Sequence, residues 1–104
     1  MIRHIVFFSA RDPSDRDAVF EGLSLLVGAV QPDLIEVARN RKGDQLGNDV
    51  DFVVYAEFAD EGALAAFKAD PLYERSIRRV RPLRELRVAA DYEPETAARR
   101  ARSS

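Results

Sequence analysis

The sequence predicts an α+β protein of the ferredoxin-like class, in which a four-stranded antiparallel sheet carries two helices on one face. Apolar runs of strand length and helical repeats follow one another in the order β-α-β-β-α-β. The first and third of these strands are apolar on both faces, as central strands are. Right-handed crossovers would then place the strands in the order 4-1-3-2, with these two strands in the middle.

Length and composition fit one folded domain. The chain has 104 residues, of which 46% are hydrophobic and 33% charged, a balance that disordered chains lack. The formal charge of −2 gives no overall positive field, so we expect no nucleic-acid partner. The absence of cysteine excludes thiolate metal sites and favours a reducing compartment, so we expect a cytoplasmic protein. No stretch is apolar enough to span a bilayer, and we expect no membrane partner.

The first strand is predicted over Ile2–Ser9 and carries the only histidine. Because strand side chains alternate, His4, Val6 and Phe8 share one face, while Ile5 and Phe7 lie on the other. A helix should follow, with Ser14 as its cap or Asp12 as a rival cap ahead of a proline. Its apolar positions recur at helical spacing before Pro32, and they are Val19, Phe20, Leu23, Leu26, Val27 and Val30.

The rest of the chain supplies three strands and a broken helix. We predict strands over Leu34–Arg41, Asp51–Phe58 and Leu83–Tyr92, the first two separated by a polar loop. Asp60 can cap the second helical region, which Asp70-Pro71 should interrupt and restart. The domain is therefore expected to cover residues 1–93, and residues 94–104 to form a basic, flexible tail.

One face of the predicted sheet is left without helices. It carries Ile5, Phe7, Val53 and Tyr55, and such a patch is too apolar to remain in water. Its burial against a second copy could contribute on the order of 10 kcal/mol before the entropy of association is subtracted. We therefore predict a symmetric homodimer that forms a dimeric α/β barrel.

Several segments resemble the stress-responsive dimeric α/β-barrel (Dabb) family. They are Ile-Arg-His-Ile-Val-Phe-Phe at 2–8, Phe-Ala-Asp-Glu-Gly-Ala-Leu-Ala-Ala-Phe at 58–67, Asp-Pro-Leu-Tyr at 70–73, Val-Arg-Pro-Leu at 80–83 and Val-Ala-Ala-Asp-Tyr-Glu at 88–93. The resemblance implies a dimeric ferredoxin-like barrel. Many members have no assigned activity, and a plant member is a polyketide cyclase that closes a ring by aldol condensation.

The resemblance also implies site residues. His4 matches the strand histidine of that cyclase, and Tyr73 stands where its catalytic histidine is found. The catalytic histidine of the cyclase is the second one in a His-Pro-x-His motif; Asp70 stands where the first is found, and Phe67 stands where a tyrosine assists it. A neutral phenol is a poor general base at pH 7 but can donate a hydrogen bond to an enolate. The pocket can thus persist without the cyclase chemistry.

Two functions of different class follow. In the first, the chain binds or converts a small apolar carbonyl compound, with His4 polarising it, Tyr73 donating a hydrogen bond, and Val6, Phe8, Phe67 and Ile77 forming the wall. In the second, it is a non-catalytic stress-response homodimer whose core is filled. His4 would then be a core-edge histidine bonded to backbone or to Tyr73, and Tyr73 a packing residue with its hydroxyl at the surface.

Other chemistries find less support. A lone histidine without cysteine is a poor metal site, and we expect neither a metal nor a cofactor. The third strand lacks the basic-glycine-aromatic signature of RNA-binding domains with this topology. Haem-degrading barrels are disfavoured because tryptophan is absent. An arginine cluster (Arg75, Arg78, Arg79, Arg81, Arg84 and Arg87) is expected to be a solvated face paired with Asp70, Glu74 and Glu85, and anion binding is the alternative.

Overall fold

The strands and helices follow the predicted order, with the second helical region divided into two helices. The computed structural model describes residues 1–102. The elements are β1 (Ile2–Ala10), α1 (Arg16–Ser24), β2 (Leu34–Arg39), β3 (Phe52–Phe58), α2 (Glu61–Ala69), α3 (Pro71–Val80) and β4 (Arg84–Tyr92). The four strands pair antiparallel in the order β2-β3-β1-β4, which is the predicted order.

The first helix begins at the rival cap of the prediction, and its last turn is wound more tightly than the spacing indicates. Asp12, and not Ser14, is the cap: its carboxylate accepts a hydrogen bond from the Ser14 amide at 2.9 Å and opens a 3-10 turn, Pro13–Asp15, that leads into α1. Pro13 favours this start because its fixed φ suits the first helical position and it has no N–H to satisfy. At its other end α1 passes into a second 3-10 turn, Leu25–Gly28, and the tighter winding turns Val27 away from the core into solvent.

The two later helices begin as predicted. Asp60 accepts a hydrogen bond from the Ala63 amide at 2.8 Å and caps α2. Asp70 accepts one from the Leu72 amide at 2.8 Å and caps α3, with Pro71 in the first turn. Because Asp70 itself is extended, α3 leaves in a new direction from the end of α2.

The helices cover one face of the sheet and form the core with it. Val6, Val54, Ala56 and Phe58 point from the central strands into this layer and are buried. The helices α1 and α3 lie close together at Gly22, whose carbonyl accepts a hydrogen bond from the Ser76 hydroxyl at 2.8 Å. A Cβ atom at Gly22 would lie 2.8 Å from a methyl carbon of Val80, so only glycine allows α1 and α3 this contact.

The other face of the sheet has no helix over it, and we call it the open face. It carries the predicted residues Ile5, Phe7, Val53 and Tyr55 from the central strands, joined by Val88, Ala90 and Tyr92 of β4. Phe7, at the centre of this set, is 38% exposed in the single chain. One edge of the face is polar, since Arg3 donates to the Tyr92 hydroxyl at 3.1 Å and the Tyr55 hydroxyl donates to Glu57 at 2.6 Å.

A buried carboxylate ties the loop before β3 to the sheet and to α1. Asp51 accepts hydrogen bonds from Lys42 Nζ at 2.7 Å and from the Ala10 amide at 2.9 Å, and Arg16 Nε lies 3.2 Å from it. With two cations beside it, Asp51 can stay ionised although it is buried.

The first residues of the predicted tail lie against the start of β1. Pro94–Thr96 form a 3-10 turn, and the amino group of Met1 lies 3.3 Å from a carboxylate oxygen of Glu95. Ser103 and Ser104, the last residues of the tail, lie outside the described residues. The domain boundary at residue 93 stays a prediction. No helix within residues 1–102 has both the length and the apolar character needed to cross a membrane.

Candidate functional site

A cleft runs between the helix-covered face of the sheet and α3. About 430 Å³ of it is free of protein atoms, a volume that includes the solvent at its mouth. Only a small part of this volume is wide enough for a water molecule. All the predicted site and wall residues line it, namely His4, Val6, Phe8, Phe67, Tyr73 and Ile77. The structure therefore brings together, at one place, side chains from β1, α2 and α3.

His4 is buried on the floor of this cleft, with 2% of its surface exposed. In the β1–β4 ladder it stands directly opposite Asp91. Its Nδ1–H donates a hydrogen bond to Asp91 Oδ1, a carboxylate that itself reaches solvent. A backbone group or Tyr73 is the partner expected for His4, and that expectation is wrong because the hydrogen bond is made to Asp91.

Sequence reasoning missed Asp91 because β4 was interpreted from its apolar residues alone. The signal was present: Asp91 alternates with Ala90 and Tyr92, so it lies on the opposite face from them, the face that carries His4. A carboxylate on a strand paired with β1 was therefore a natural partner for a buried imidazole.

The contact with Asp91 determines which ring nitrogen of His4 is left to interact with a ligand. A carboxylate at Nδ1 favours the tautomer that carries its proton there, which leaves Nε2 with a lone pair. Among residues 1–102, no side chain or backbone group forms a hydrogen bond with Nε2. The imidazole can therefore accept a proton at Nε2 or, once protonated, donate a hydrogen bond from it.

Aromatic rings connect His4 with Tyr73. The ring centroids of His4 and Phe58 lie 6.3 Å apart, those of Phe58 and Phe67 5.2 Å apart, and those of Phe67 and Tyr73 5.1 Å apart. Tyr73 is half-buried in the first turns of α3, where the Asp70 cap fixes the start of the helix. Its hydroxyl forms no hydrogen bond within the described part of the chain, so it is available to a ligand as a donor.

The arginine cluster divides in a way that the sequence did not predict. Glu74 pairs with Arg78 at 2.9 Å, and Glu85 pairs with Arg11 at 3.5 Å. Asp70 pairs with no arginine of the cluster and instead accepts hydrogen bonds from the Leu72 amide and from Gln31. Arg81, Arg84 and Arg87 instead line the cleft. Burial lowers the pKa of the Arg84 guanidinium, and the charges of Arg87 and Arg81 act in the same direction.

The part of the chain that the structure describes contains no group of three or more carboxylate or imidazole side chains able to hold a metal ion. The cleft is thus lined by the imidazole of His4, which Asp91 holds from outside the lining, and by one phenol, three guanidinium groups and an apolar wall. Such a set can bind and polarise a small organic molecule.

Comparison with known proteins gives a family and a fold. The model of the Stress responsive A/B Barrel Domain (Dabb) matches residues 2–94. No curated protein sequence matches the chain. Among solved structures, a Dabb family protein with a ferredoxin-like fold from Mesorhizobium loti is 26% identical, with a TM-score of 0.72 over 89% of this chain and 95% of that one.

Two further solved structures share the fold. A dimeric ferredoxin-like protein of unknown function from Thermobifida fusca is 24% identical, with a TM-score of 0.74 over 88% of both chains. A protein from Nitrosomonas europaea, provisionally described as an antibiotic biosynthesis monooxygenase, is 18% identical, with a TM-score of 0.74 over 89% of this chain and 97% of that one. The family match spans nearly the whole of the ferredoxin-like fold described above, and the chain therefore belongs to the stress-responsive A/B barrel (Dabb) family.

Proposed function

We propose that this protein binds, and can convert, a small and mostly apolar carbonyl compound in the cleft between sheet and helices. The observation that carries the proposal is the buried His4, which is held by Asp91 and faces a cleft with an apolar wall. Polar groups inside proteins are nearly always hydrogen-bonded. The Nε2 atom of His4 has no partner in the described chain, so we take it as the atom that contacts a ligand. The compound would place its carbonyl or its acidic C–H beside Nε2.

In this proposal His4 and Tyr73 have different tasks. His4 accepts a proton or polarises the carbonyl from the floor of the cleft, and Asp91 stabilises the imidazolium that forms. Tyr73, whose hydroxyl is free, donates a hydrogen bond to the oxygen on which negative charge develops. Val6, Phe8, Phe67 and Ile77 bind the apolar body of the compound.

We also propose that the protein is a homodimer whose subunits meet through the open face. The Thermobifida fusca neighbour is described as dimeric, and the open face here exposes a central phenylalanine among valine and tyrosine side chains. A second copy would remove that surface from water. A reducing compartment such as the cytoplasm suits a chain without cysteine.

A second function is favoured by one observation. Little of the cleft is wide enough for a water molecule, so its side chains would have to move before a compound could enter. The protein would then be a non-catalytic homodimer in which the pair of His4 and Asp91 stabilises the contact between β1 and β4. The two functions differ in whether any compound enters the cleft.

The deciding experiment is a binding screen by native mass spectrometry on protein purified from its own host, extended with added 2-octanone, acetophenone and benzoylacetone. We expect a bound ketone or diketone in the wild-type protein. His4→Ala should weaken that binding about tenfold, since it removes a hydrogen-bonding group from the floor of the cleft.

Two controls make the result specific. Ile77→Trp fills the cleft and should abolish binding, whereas Leu46→Ala, at an exposed loop residue, should leave it unchanged. Binding that is equal in wild type and His4→Ala would remove His4 from the site. A wild-type protein that binds none of these compounds would favour the non-catalytic homodimer.

A further inference from the structure

The cleft carries a positive charge at one end only. Arg84 and Arg87 belong to β4, and in the β1–β4 ladder they stand opposite Ala10 and Phe8. Arg81 follows the end of α3 and reaches the same end of the cleft. The pair of His4 and Asp91 lies at the other end of the ladder. The cleft therefore has an arginine end and a histidine end.

No acidic side chain within residues 1–102 forms an ion pair with Arg81, Arg84 or Arg87. The acidic residues nearest in sequence are occupied: Glu85 by Arg11, and Asp91 by His4. Three guanidinium groups that share one end of a cleft repel one another, and the half-buried Arg84 loses solvation as well. A bound anion would relieve both costs.

We propose that the arginine end of the cleft binds a carboxylate, so that the ligand is an elongated apolar acid whose opposite end carries the carbonyl group. This inference rests on the proposed function and adds the chemical class of its ligand. A carboxylate is planar and can accept two parallel hydrogen bonds from one guanidinium, which favours it at a site built from arginine.

The spacing of the strand residues sets the length of this acid. From His4 to Phe8 the strand advances by four residues, which corresponds to about 13 Å at the usual rise of a strand. Val6 lies between them on the same face, with Ile77 and Val80 above it, so the middle of the ligand contacts apolar groups. An acid with its polar groups on the order of 10 Å apart satisfies both ends.

A partner subunit does not supply the missing anion in the proposed dimer. The cleft lies on the helix-covered face of the sheet, whereas the subunits would meet through the open face. The arginine end therefore stays accessible to a small molecule in the dimer.

The test compares three probes of equal chain length: octanoate, octanamide and octyl phosphate, titrated by isothermal calorimetry into the full-length protein. We expect octanoate to bind about tenfold more tightly than octanamide, because only the acid engages the guanidinium groups. Arg84→Gln and Arg87→Gln should each reduce that advantage severalfold and leave octanamide affinity unchanged. Arg75→Gln, which removes a charge from α3 outside the cleft, is the matched control and should keep the full advantage.

The outcomes separate this inference from the proposed function. Equal affinity for octanoate and octanamide would overturn the carboxylate site while leaving a cleft that binds apolar compounds. Binding of neither probe would overturn both. Tighter binding of octyl phosphate than of octanoate would show that the arginine end is a phosphate site, and would likewise overturn the assignment to a carboxylate. Thermal unfolding of each variant checks that the fold is retained.

Discussion

The two faces of the sheet are made by the same strands and end in opposite environments. On β1, Val6 is 3% exposed under the helices, and the next residue, Phe7, is 38% exposed on the open face. Both are apolar, and both lie on the strand at the centre of the sheet. The two residues differ because the helices of this chain cover only one face of the sheet. The helices bury the core on one side of the sheet within the single chain, while the open face leaves Phe7 partly in water.

The largest expected loss of stability comes from a substitution in the core under the helix-covered face. Phe58 is fully buried against Phe67, so Phe58→Ala should lower the free energy of unfolding by about 3–5 kcal/mol, because it leaves a cavity. Phe7→Ala, on the open face, should cost only about 1 kcal/mol at low protein concentration, with a larger effect where the dimer forms. Urea denaturation at several protein concentrations measures both. Equal losses at every concentration would show that the faces do not differ as described.

The next largest loss of stability is expected at Asp51, the buried carboxylate beside the helix-covered face. Burial of Asp51 opposes its ionisation, but the hydrogen bonds from Lys42 and Ala10 and the charges of Lys42 and Arg16 outweigh it, so its pKa lies below the ordinary value. Asp51→Asn should lower the free energy of unfolding by about 1–3 kcal/mol at pH 7.

The pH dependence of this contribution has a definite sign. A carboxyl with a depressed pKa in the folded state stabilises it fully above the unfolded pKa of about 4, and the contribution disappears as the pH falls through the lower, folded value. The difference between wild type and Asp51→Asn should therefore shrink when denaturation is repeated near pH 3. A difference that does not change with pH would mean that the Asp51 charge contributes nothing.

A substitution at the contact between α1 and α3 should lower the free energy of unfolding by a smaller amount. Gly22→Ala places a methyl group 2.8 Å from a carbon of Val80 and should cost about 1–2 kcal/mol, in spite of the better helix propensity of alanine. Gly47→Ala is the matched control, since nothing lies within 4 Å of a Cβ at that residue, and it should be close to neutral. A lower melting temperature for Gly22→Ala alone supports the close approach, and two equal values would contradict it.

The smallest effect is expected on the open face. Burial of Tyr55, its hydrogen bond to Glu57 and the charge of Glu57 raise the pKa of its phenol to about 12, although Arg3 acts in the opposite direction. The neutral phenol therefore stabilises the fold below about pH 10, and this contribution is lost as the pH rises toward 12. Tyr55→Phe should cost about 0.5–1.5 kcal/mol at pH 7.

Ultraviolet absorbance of the phenolate measures this titration directly. The wild-type protein should show one phenol that ionises near pH 12, and Tyr55→Phe should lack that step. If the step remains in the variant, the raised pKa belongs to another tyrosine, and the polar edge of the open face is not as described.

Much of the fold could be predicted because periodicity and helix caps are local properties. The alternation in β1 and β3 identified the central strands, and Asp70-Pro71 identified the break between the last two helices. The first helical segment ends at Gly28, before Pro32 as expected, but the exposure of Val27 and Val30 could not be predicted, because the helical spacing continues through both. Val27 lies in the 3-10 turn Leu25–Gly28 and is exposed there, and local spacing does not encode that change of winding.

The site was predicted only in part, for a related reason. His4, Phe67 and Tyr73 were named from the resemblance and do share one cleft, yet their roles stay predictions. Asp91 and the three arginines were not assigned to the cleft, since they reach it through the pairing of β1 with β4, and strand partners are far apart in sequence.

The sequence by itself determined the order of the elements, the caps of α2 and α3 and the two-sided apolar character of the central strands, because each depends on residues within a few positions of one another. The tertiary structure alone decided that Asp91 holds His4 and that Arg84 and Arg87 line the cleft while their neighbours pair elsewhere. Those contacts depend on the register between β1 and β4, whose paired residues Ala10 and Arg84 are already 74 positions apart, and only the folded sheet fixes that register.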